Sequence, residues 1–452
     1  MASRAGSTSR RRGRPVGTRA MRWRSTSRRN KSERMAETNI MVIAGEPSGD
    51  ALAAELVQAL RAEAGASSAK PTLRFFGAGG TKLAAAGVDL AVDMTQHAVI
   101  GLWEVIKSYG KFRRIFHELL ALAEKQRPAL LVCVDFSGFN RRFAHALRAR
   151  AAKSGGQWNP RIVQYVSPQV WASRPGRATK MAEDYDLLLT IFPFERDWYA
   201  KRAPDLKVEF VGHPMLDRFE GRGPKPEVQS PNARPEVLLL PGSRAGELKR
   251  HLPVMLEAVG RIAERAQVNF RMVLPSRELV ERALDACEEQ LHFKTQRTEA
   301  LDGLHTVGLV KQPDSPFQIQ VGHLDAALRS ATIAIASTGT VTMECALFKV
   351  PTVALYKTSW STYQIGKRIV TVKFLAMPNL LAGEAVIPEF VQDAATGPNL
   401  AQAALGLLQD ESRRLAMQVK LGEIIAGLGA PGANVRAARA IWTLLHPSGP
   451  AA

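Results

Sequence analysis

Short β-branched and apolar runs recur along the chain. Each is followed by a polar, often glycine-bearing turn and then by apolar positions at helical spacing. The runs predict strands over Ile40–Ala44, Leu73–Phe76, Leu130–Asp135, Arg161–Val166, Leu187–Ile191 and Val208–Val211. A Pro/Gly-rich break follows, EGRGPKPEVQSPNARPE, from Glu220 to Glu236. Alternation restarts at Val237–Leu240 and continues through Phe270–Leu274, Val307–Val310, Thr332–Ala336 and Thr352–Leu355. Lys294–Gln320 shows little periodicity and is expected to be a long loop around one strand. After Val386 the pattern turns helical, with helices expected over Ala401–Leu408, Arg413–Ala426 and Val435–Leu445. Continuous apolar strands alternating with helices imply parallel sheets covered on both faces. The expected fold is therefore α/β, with two Rossmann-like parallel-sheet domains facing a cleft. The expected boundaries are an N-terminal extension over 1–37, a first domain over 38–218, a linker over 219–236, a second domain over 237–430 and a C-terminal helix over 431–452.

Charge changes the picture at one end only. Of the formal +19, residues 1–34 carry +11, from twelve Lys/Arg against Glu33, and the remainder keeps +8. These 34 residues hold almost no aliphatics and cannot fold alone, so a disordered basic extension is expected. A transit peptide, or translation starting at Met35, are the competing readings. Cys133, Cys287 and Cys345 are few, odd in number and far apart, which points to a reducing compartment and away from a zinc or disulfide framework. No apolar run reaches the roughly 20 residues needed to span a bilayer. A nucleic-acid binder would need aromatic residues interleaved with a basic patch, and none is seen; most of the excess charge lies in the extension.

Ligands of such sheets sit beyond the carboxyl ends of the strands. In LLLPGSRAGELKRHLPVM, Gly242, Ser243 and Arg244 follow a strand and Glu247 opens a helix. A glycine that lets the backbone approach, a helix N-terminus and a guanidinium fork suit a phosphate. In IAIASTGTVTMECALF, Ser337, Thr338, Gly339 and Thr340 form a second small-residue turn, and Glu344 one turn later can accept hydrogen bonds from ribose hydroxyls. Neither loop ends in Gly-Lys-Ser/Thr or reads GxGxxG, so a nucleotide-diphosphate donor fits better than ATP or a dinucleotide. In the first half, LLVCVDFSGFN puts Asp135 at a strand end, where partial burial would make it a general base; a helix cap is its structural alternative. Gly45, Glu46, Ser48, Gly49 and Asp50 follow the first strand, and Asp50 could equally cap a helix. Ser167, Gln169, Trp171 and Arg174 follow another strand, and His213 stands near the linker. IGLWEVIKSYGKFRRIF supplies Glu104 and mixes Trp103 and Ile106 with Lys107, Lys111, Arg113 and Arg114, a composition suited either to an anionic membrane face or to an ordinary helix with a solvated basic side.

Taken together, AGEPSGD, IGLWEV, VDFSGFN, YVSPQVWASR, FPFE, FVGHPMLD, LLPGSRAGE, STGTVTMECAL and MPNLLAGEAVIPEF, in this order from Ile40 to about Gln392, resemble the lipid-A-disaccharide synthases, inverting glycosyltransferases of the GT-B fold. Gly138, Ser173 and Glu384 stand where the family pattern has an Asp, a Trp and a basic residue. The resemblance implies condensation of UDP-2,3-diacylglucosamine with 2,3-diacylglucosamine 1-phosphate to a β-1,6-linked disaccharide 1-phosphate and UDP. It implies UDP on the second domain, with Asn379, Glu389 and Gln392 completing that side. It also implies Asp135 as base, with Glu104 and Asp50 as fallbacks, and Arg244 on the leaving diphosphate. The opening loop and the Ser167–Arg174 loop become the acceptor side. No Asp-x-Asp is apparent in these loops, so neither metal nor cofactor is expected. Acylated substrates imply peripheral contact with the cytoplasmic face of the inner membrane, and family members can exchange C-terminal segments within a homodimer. The nearest rival is another UDP-N-acetylglucosamine-using GT-B enzyme, a 2-epimerase or a lipid II-type glycosyltransferase.

Overall fold

The computed structural model describes residues 37–68, 71–95, 102–220, 234–291, 304–309 and 312–447. The basic extension and most of the linker lie outside the described residues. The described strands form two seven-stranded sheets. The first contains β1 (Glu37–Ala44), β2 (Thr72–Gly79), β3 (Asp89–Asp93), β4 (Leu130–Val134), β5 (Arg161–Tyr165), β6 (Leu187–Thr190) and β7 (Val208–Phe210), in the order β3-β2-β1-β4-β5-β6-β7, all parallel. The second contains β8 (Glu236–Leu240), β9 (Asn269–Leu274), β10 (Leu304–Leu309), β11 (Gln312–Val321), β12 (Ile333–Ser337), β13 (Thr352–Tyr356) and β14 (Glu389–Val391), in the order β10-β11-β9-β8-β12-β13-β14. Only β10 runs antiparallel there, against β11.

Every residue of β4, β6 and β12 is buried, as expected of strands covered by helices on both faces. In both sheets the chain starts in the middle and winds outward both ways. The crossovers reverse between β1 and β4 in one sheet and between β8 and β12 in the other. A crevice opens at such a reversal, beyond the strands' carboxyl ends.

Three expectations are corrected. The aperiodic stretch Lys294–Gln320 holds a β-hairpin, not one strand in a loop. The segment after Val386 is not wholly helical, because β14 extends the sheet beside β13. A short strand, β3, lies within a polar stretch. The edge strands β3 and β14, and the polar first half of β11, carry little of the apolar signal that marks central strands. The helix Ala433–Leu445 leaves the second sheet and packs on the helix Pro47–Ala66 of the first, within the same chain. Asp217 anchors its start, accepting from the backbone N–H groups of Gly432, Ala433 and Asn434 at 2.6, 3.1 and 3.1 Å. Asn434 in turn receives the Tyr165 hydroxyl at 3.1 Å.

Candidate active site

Asp135 directly follows β4 and, with Phe136, takes the left-handed backbone conformation, φ 49° and 43°. Each such non-glycine residue costs about 1–3 kcal/mol and persists only where its surroundings hold it. Here they do. The Asp135 N–H donates to Tyr165 O at 2.7 Å, while Asn140 Nδ2 and Gln164 Nε2 donate to its carbonyl at 2.8 and 3.2 Å. Gln164 is fully buried within β5 and is itself held by the Tyr185 hydroxyl at 3.1 Å. This twist turns the Asp135 carboxylate out of the sheet and into the cleft. It is reachable from solvent but walled by protein on several sides. Burial pushes its pKa above the usual carboxylate value and Glu46 pushes the same way, while the Phe136 N–H and Arg244 pull it down.

Glu46 begins the helix Pro47–Ala66 directly after β1. Its neighbour Gly45 lies so close to Phe136 that a Cβ there would stand 2.2 Å from the ring. Gly49 packs on Asp135, its Cβ position 3.5 Å from that of the aspartate. Ser48 is exposed on the same rim. Asp50 is different: it is 3% exposed, and its oxygens accept from Gly80, Lys82 and Leu83 N–H at 2.6, 3.0 and 3.2 Å. It caps the short helix Thr81–Ala85 rather than its own, and it is removed as a fallback base because both oxygens are already used.

On the second sheet, Gly242 follows β8 with φ 124°, and a Cβ there would meet Glu247. Glu247 folds back over the turn, accepting from Ser243 N–H at 3.0 Å and from Arg244 Nη1 at 3.4 Å. A carboxylate there orients Arg244 and does not bind phosphate itself. The other arm of Arg244, Nη2, reaches Glu46 Oε2 across the cleft at 3.3 Å. Beyond β12, Thr338 N–H is spent on Leu355 O at 3.0 Å, and Gly339 (φ 133°) starts the helix Thr340–Leu347 with open space where a Cβ would be. Ser337 is buried at the strand end. Glu344, half-buried in that helix, has its pKa pushed up to about 7 by burial against the opposing pull of Arg218.

The structure gives several expected contact residues a supporting part instead. Asn379 is fully buried, with its amide bridging Ile387 N and O at 2.8 and 2.9 Å and reaching Glu389 Oε2 at 3.2 Å. Glu389 also accepts from Leu375 N–H at 2.7 Å. Gln392 pairs with Thr358 N and O at 2.6 and 3.3 Å. Ser167 bonds the Tyr199 hydroxyl at 3.1 Å, and Trp171 Nε1 donates to the buried Glu195 at 2.9 Å. These residues hold the walls in place, and the Asn379 amide is buried and engaged within the protein. Gln169 and Arg174 stay exposed on the rim. His213 is buried, its pKa lowered to about 4 by burial, and its Nδ1 accepts from Met215 N–H at 3.2 Å, so it is neutral and structural. The Glu104 side chain lies outside the described residues. Gln164 was missed by the sequence reading; a glutamine inside the apolar run RIVQYV was the available signal.

A protein-family model described as lipid-A-disaccharide synthetase matches residues 40–439. The chain belongs to this family. Lipid-A-disaccharide synthase of Solibacter usitatus is 36% identical over 416 residues, covering 90% of this chain and 97% of the relative. That of Syntrophus aciditrophicus is 33% identical over 414 residues, covering 90% and 98%. The family's glycosyltransferase fold is shared by distant solved structures. One is an Listeria monocytogenes putative UDP-N-acetylglucosamine 2-epimerase (TM-score 0.58, 14% identity, 91% of this chain and 98% of that one). Another is the calicheamicin glycosyltransferase (TM-score 0.51, 13% identity, 92% and 100%). At such identities they show the GT-B fold alone. In this chain the loops after β1 and β8 meet across the cleft through Glu46 and Arg244.

Proposed function

We propose that this member of the family transfers the diacylglucosaminyl group of UDP-2,3-diacylglucosamine to the 6-hydroxyl of 2,3-diacylglucosamine 1-phosphate, and that Asp135 and Arg244 carry the chemistry. Asp135 takes the hydroxyl proton as the oxygen attacks the anomeric carbon. The bond from that carbon to the diphosphate oxygen breaks, and UDP leaves with the electron pair. Attack opposite the leaving group inverts the anomeric centre. Arg244, with the N–H groups beyond Gly242 and Gly339, receives the charge growing on the diphosphate. Glu344 accepts from the ribose hydroxyls. Glu247 and Glu46 aim the guanidinium; Gln164 and Asn140 aim the base. A positioned base contributes about 10²–10⁴-fold, and orientation across the cleft adds to it.

The observation that carries this reading is electrostatic: Glu46 and Arg244, from opposite lobes, both act on Asp135. An epimerase reading would keep the uridine loops but leave Asp135 facing no acceptor. The deciding experiment incubates the purified full chain with both acylated sugars in the presence of EDTA and follows disaccharide by mass spectrometry. Disaccharide and UDP in equal amounts are expected, and Asp135→Asn should cut turnover about 10²–10⁴-fold while UDP still binds. Near-normal turnover in that variant removes Asp135 from the role.

Because both substrates are lipids, we place the enzyme at the cytoplasmic face of the inner membrane by peripheral contact. Among the described residues no helix is long and apolar enough to cross a membrane. Lys111, Arg113 and Arg114 are exposed on the helix Leu102–Gln126 and support contact with an anionic surface. Lys111→Glu with Arg113→Glu should weaken binding to phosphatidylglycerol vesicles; unchanged binding rejects that face.

A further inference from the structure

Ser137, two residues along the chain from Asp135, borders a cavity of about 390 Å³ whose walls come from both lobes. Ser137, Trp171 and Arg177 line it from the first; Val370, Val372 and Phe374 line it from the second. The lobes are stitched there by Thr371 N–H and hydroxyl, which donate to Ala172 O at 2.9 and 3.2 Å. Ser137 opens the helix Ser137–Ala152, which packs along the helix Arg177–Asp184 with His145 Nδ1 2.9 Å from Asp184. That pairing sets the two N-terminal, positive ends side by side.

The same corner concentrates unneutralised cations. Arg141, Arg142, Arg174 and Arg177 make no hydrogen bond or ion pair to a carboxylate among the described residues. Burial, and then the charges of Arg174, Arg141 and Arg142, push the Arg177 pKa below its usual value. Guanidinium groups gathered without an acid repel one another, and an anion placed among them relieves that repulsion. Arginine forks match a phosphate's oxygens. The adjoining cavity offers an apolar wall, and Val370 stands 38% exposed at it, surface that water covers poorly.

We propose that this corner is the acceptor's subsite: the arginines Arg141, Arg142, Arg174 and Arg177 bind the sugar 1-phosphate, and the cavity between Trp171 and Phe374 takes one acyl chain. The assignment rests on the enzymatic reading above and adds to it the groups that distinguish acceptor from donor. A sugar held this way lies next to Ser137, two residues from Asp135, so that its phosphate end is anchored while its far hydroxyl faces the base. The second lobe thereby supplies part of the acceptor site, and the lobes need to be closed for the acceptor to be fully held.

The test compares the full chain with an Arg142→Ala/Arg174→Ala variant. Both side chains are exposed, and unchanged UDP binding reports an intact fold. Acceptors are 2,3-diacylglucosamine 1-phosphate and the same sugar without phosphate, under saturating donor. The variant should raise KM for the phosphorylated acceptor at least about tenfold, leave donor KM unmoved and lose the wild-type preference for the phosphate. A retained preference overturns the arginine assignment. Loss of binding to phosphatidylglycerol vesicles with that preference intact also overturns it, giving the arginines to a lipid surface. Val372→Trp fills the cavity and should favour shorter acyl chains; an unchanged chain-length profile overturns the acyl assignment. If the wild type forms no disaccharide, the enzymatic reading falls. Calorimetry with the acylated sugar phosphate alone then judges the subsite: weaker binding by the double variant upholds it, and equal binding rejects it.

Discussion

Arg244 of the second lobe lies 3.3 Å from Glu46 of the first, and the pair spans the cleft above Asp135. The two charges act on the aspartate in opposite senses, Glu46 raising its pKa and Arg244 lowering it. The pair is exposed, so its worth to stability is small; its consequence is for the protonation of Asp135, the proposed base.

Glu46→Gln should therefore move the acidic limb of the kcat/KM profile to lower pH, because a neighbour that discourages ionisation of Asp135 is gone. Arg244→Gln should move that limb to higher pH and lower kcat besides. Profiles for the three proteins between pH 4 and 9 check this, and limbs that stay together show that Asp135 does not set them.

Glu344 couples folding to pH. Burial raises its folded pKa to about 7, from the 4.5 ordinary for a glutamate. Between these values the folded chain keeps a proton that the unfolded chain releases, so stability falls as pH rises through that window. Glu344→Gln should remove up to about 3 kcal/mol of that loss. Thermal melts at pH 5 and 8 should show the variant gaining on the wild type at pH 8 only, while its UDP affinity drops through lost ribose contacts.

Asp50→Ala leaves three backbone N–H groups of the Gly80–Leu83 turn without an acceptor. A cost of about 1–3 kcal/mol is expected, seen as a lower melting temperature. At temperatures where the variant is folded, its turnover should stay well above that of Asp135→Asn. Equal losses in the two would return Asp50 to the chemistry.

Gly45→Ala places a Cβ 2.2 Å from the Phe136 ring, near its root rather than its flexible end. Relief requires Phe136 to move, and Asp135 is its chain neighbour in a strained conformation. A stability loss of about 1–3 kcal/mol is expected. A larger proportional fall in kcat than in UDP affinity should accompany it, since the loops proposed to bind uridine are on the other sheet.

The central strands and the loops at their ends were legible in the chain itself. Strands such as LLVCV and IAIAS are buried on both faces and so carry an unbroken apolar signal. Glycine, small polar residues and a charge directly after such a run mark a ligand-facing turn. Edge strands β3 and β14 lacked that signal, as did β11, the hairpin partner of the strand expected at Val307–Val310. Which polar residues face the cleft was also not legible. Asp50 and Asp135 both stand just beyond a strand's end in similar company, yet one is consumed by the N–H groups of a neighbouring turn and the other is twisted outward by Tyr165, Asn140 and Gln164.

Local order of apolar and turn-forming residues, acting over a few neighbours, was enough to determine two parallel-sheet lobes and to nominate Asp135 and Arg244. Tertiary structure alone decided that Glu46 and Arg244 meet, that Asn379 and Trp171 are struts, that the last helix returns to the first lobe, and that Arg177 lines a cavity walled by both lobes. The reason is that hydrogen-bond satisfaction and charge interaction depend on distance in space, and the partners here are separated by up to 379 residues of chain, as for Asn434 and Glu55.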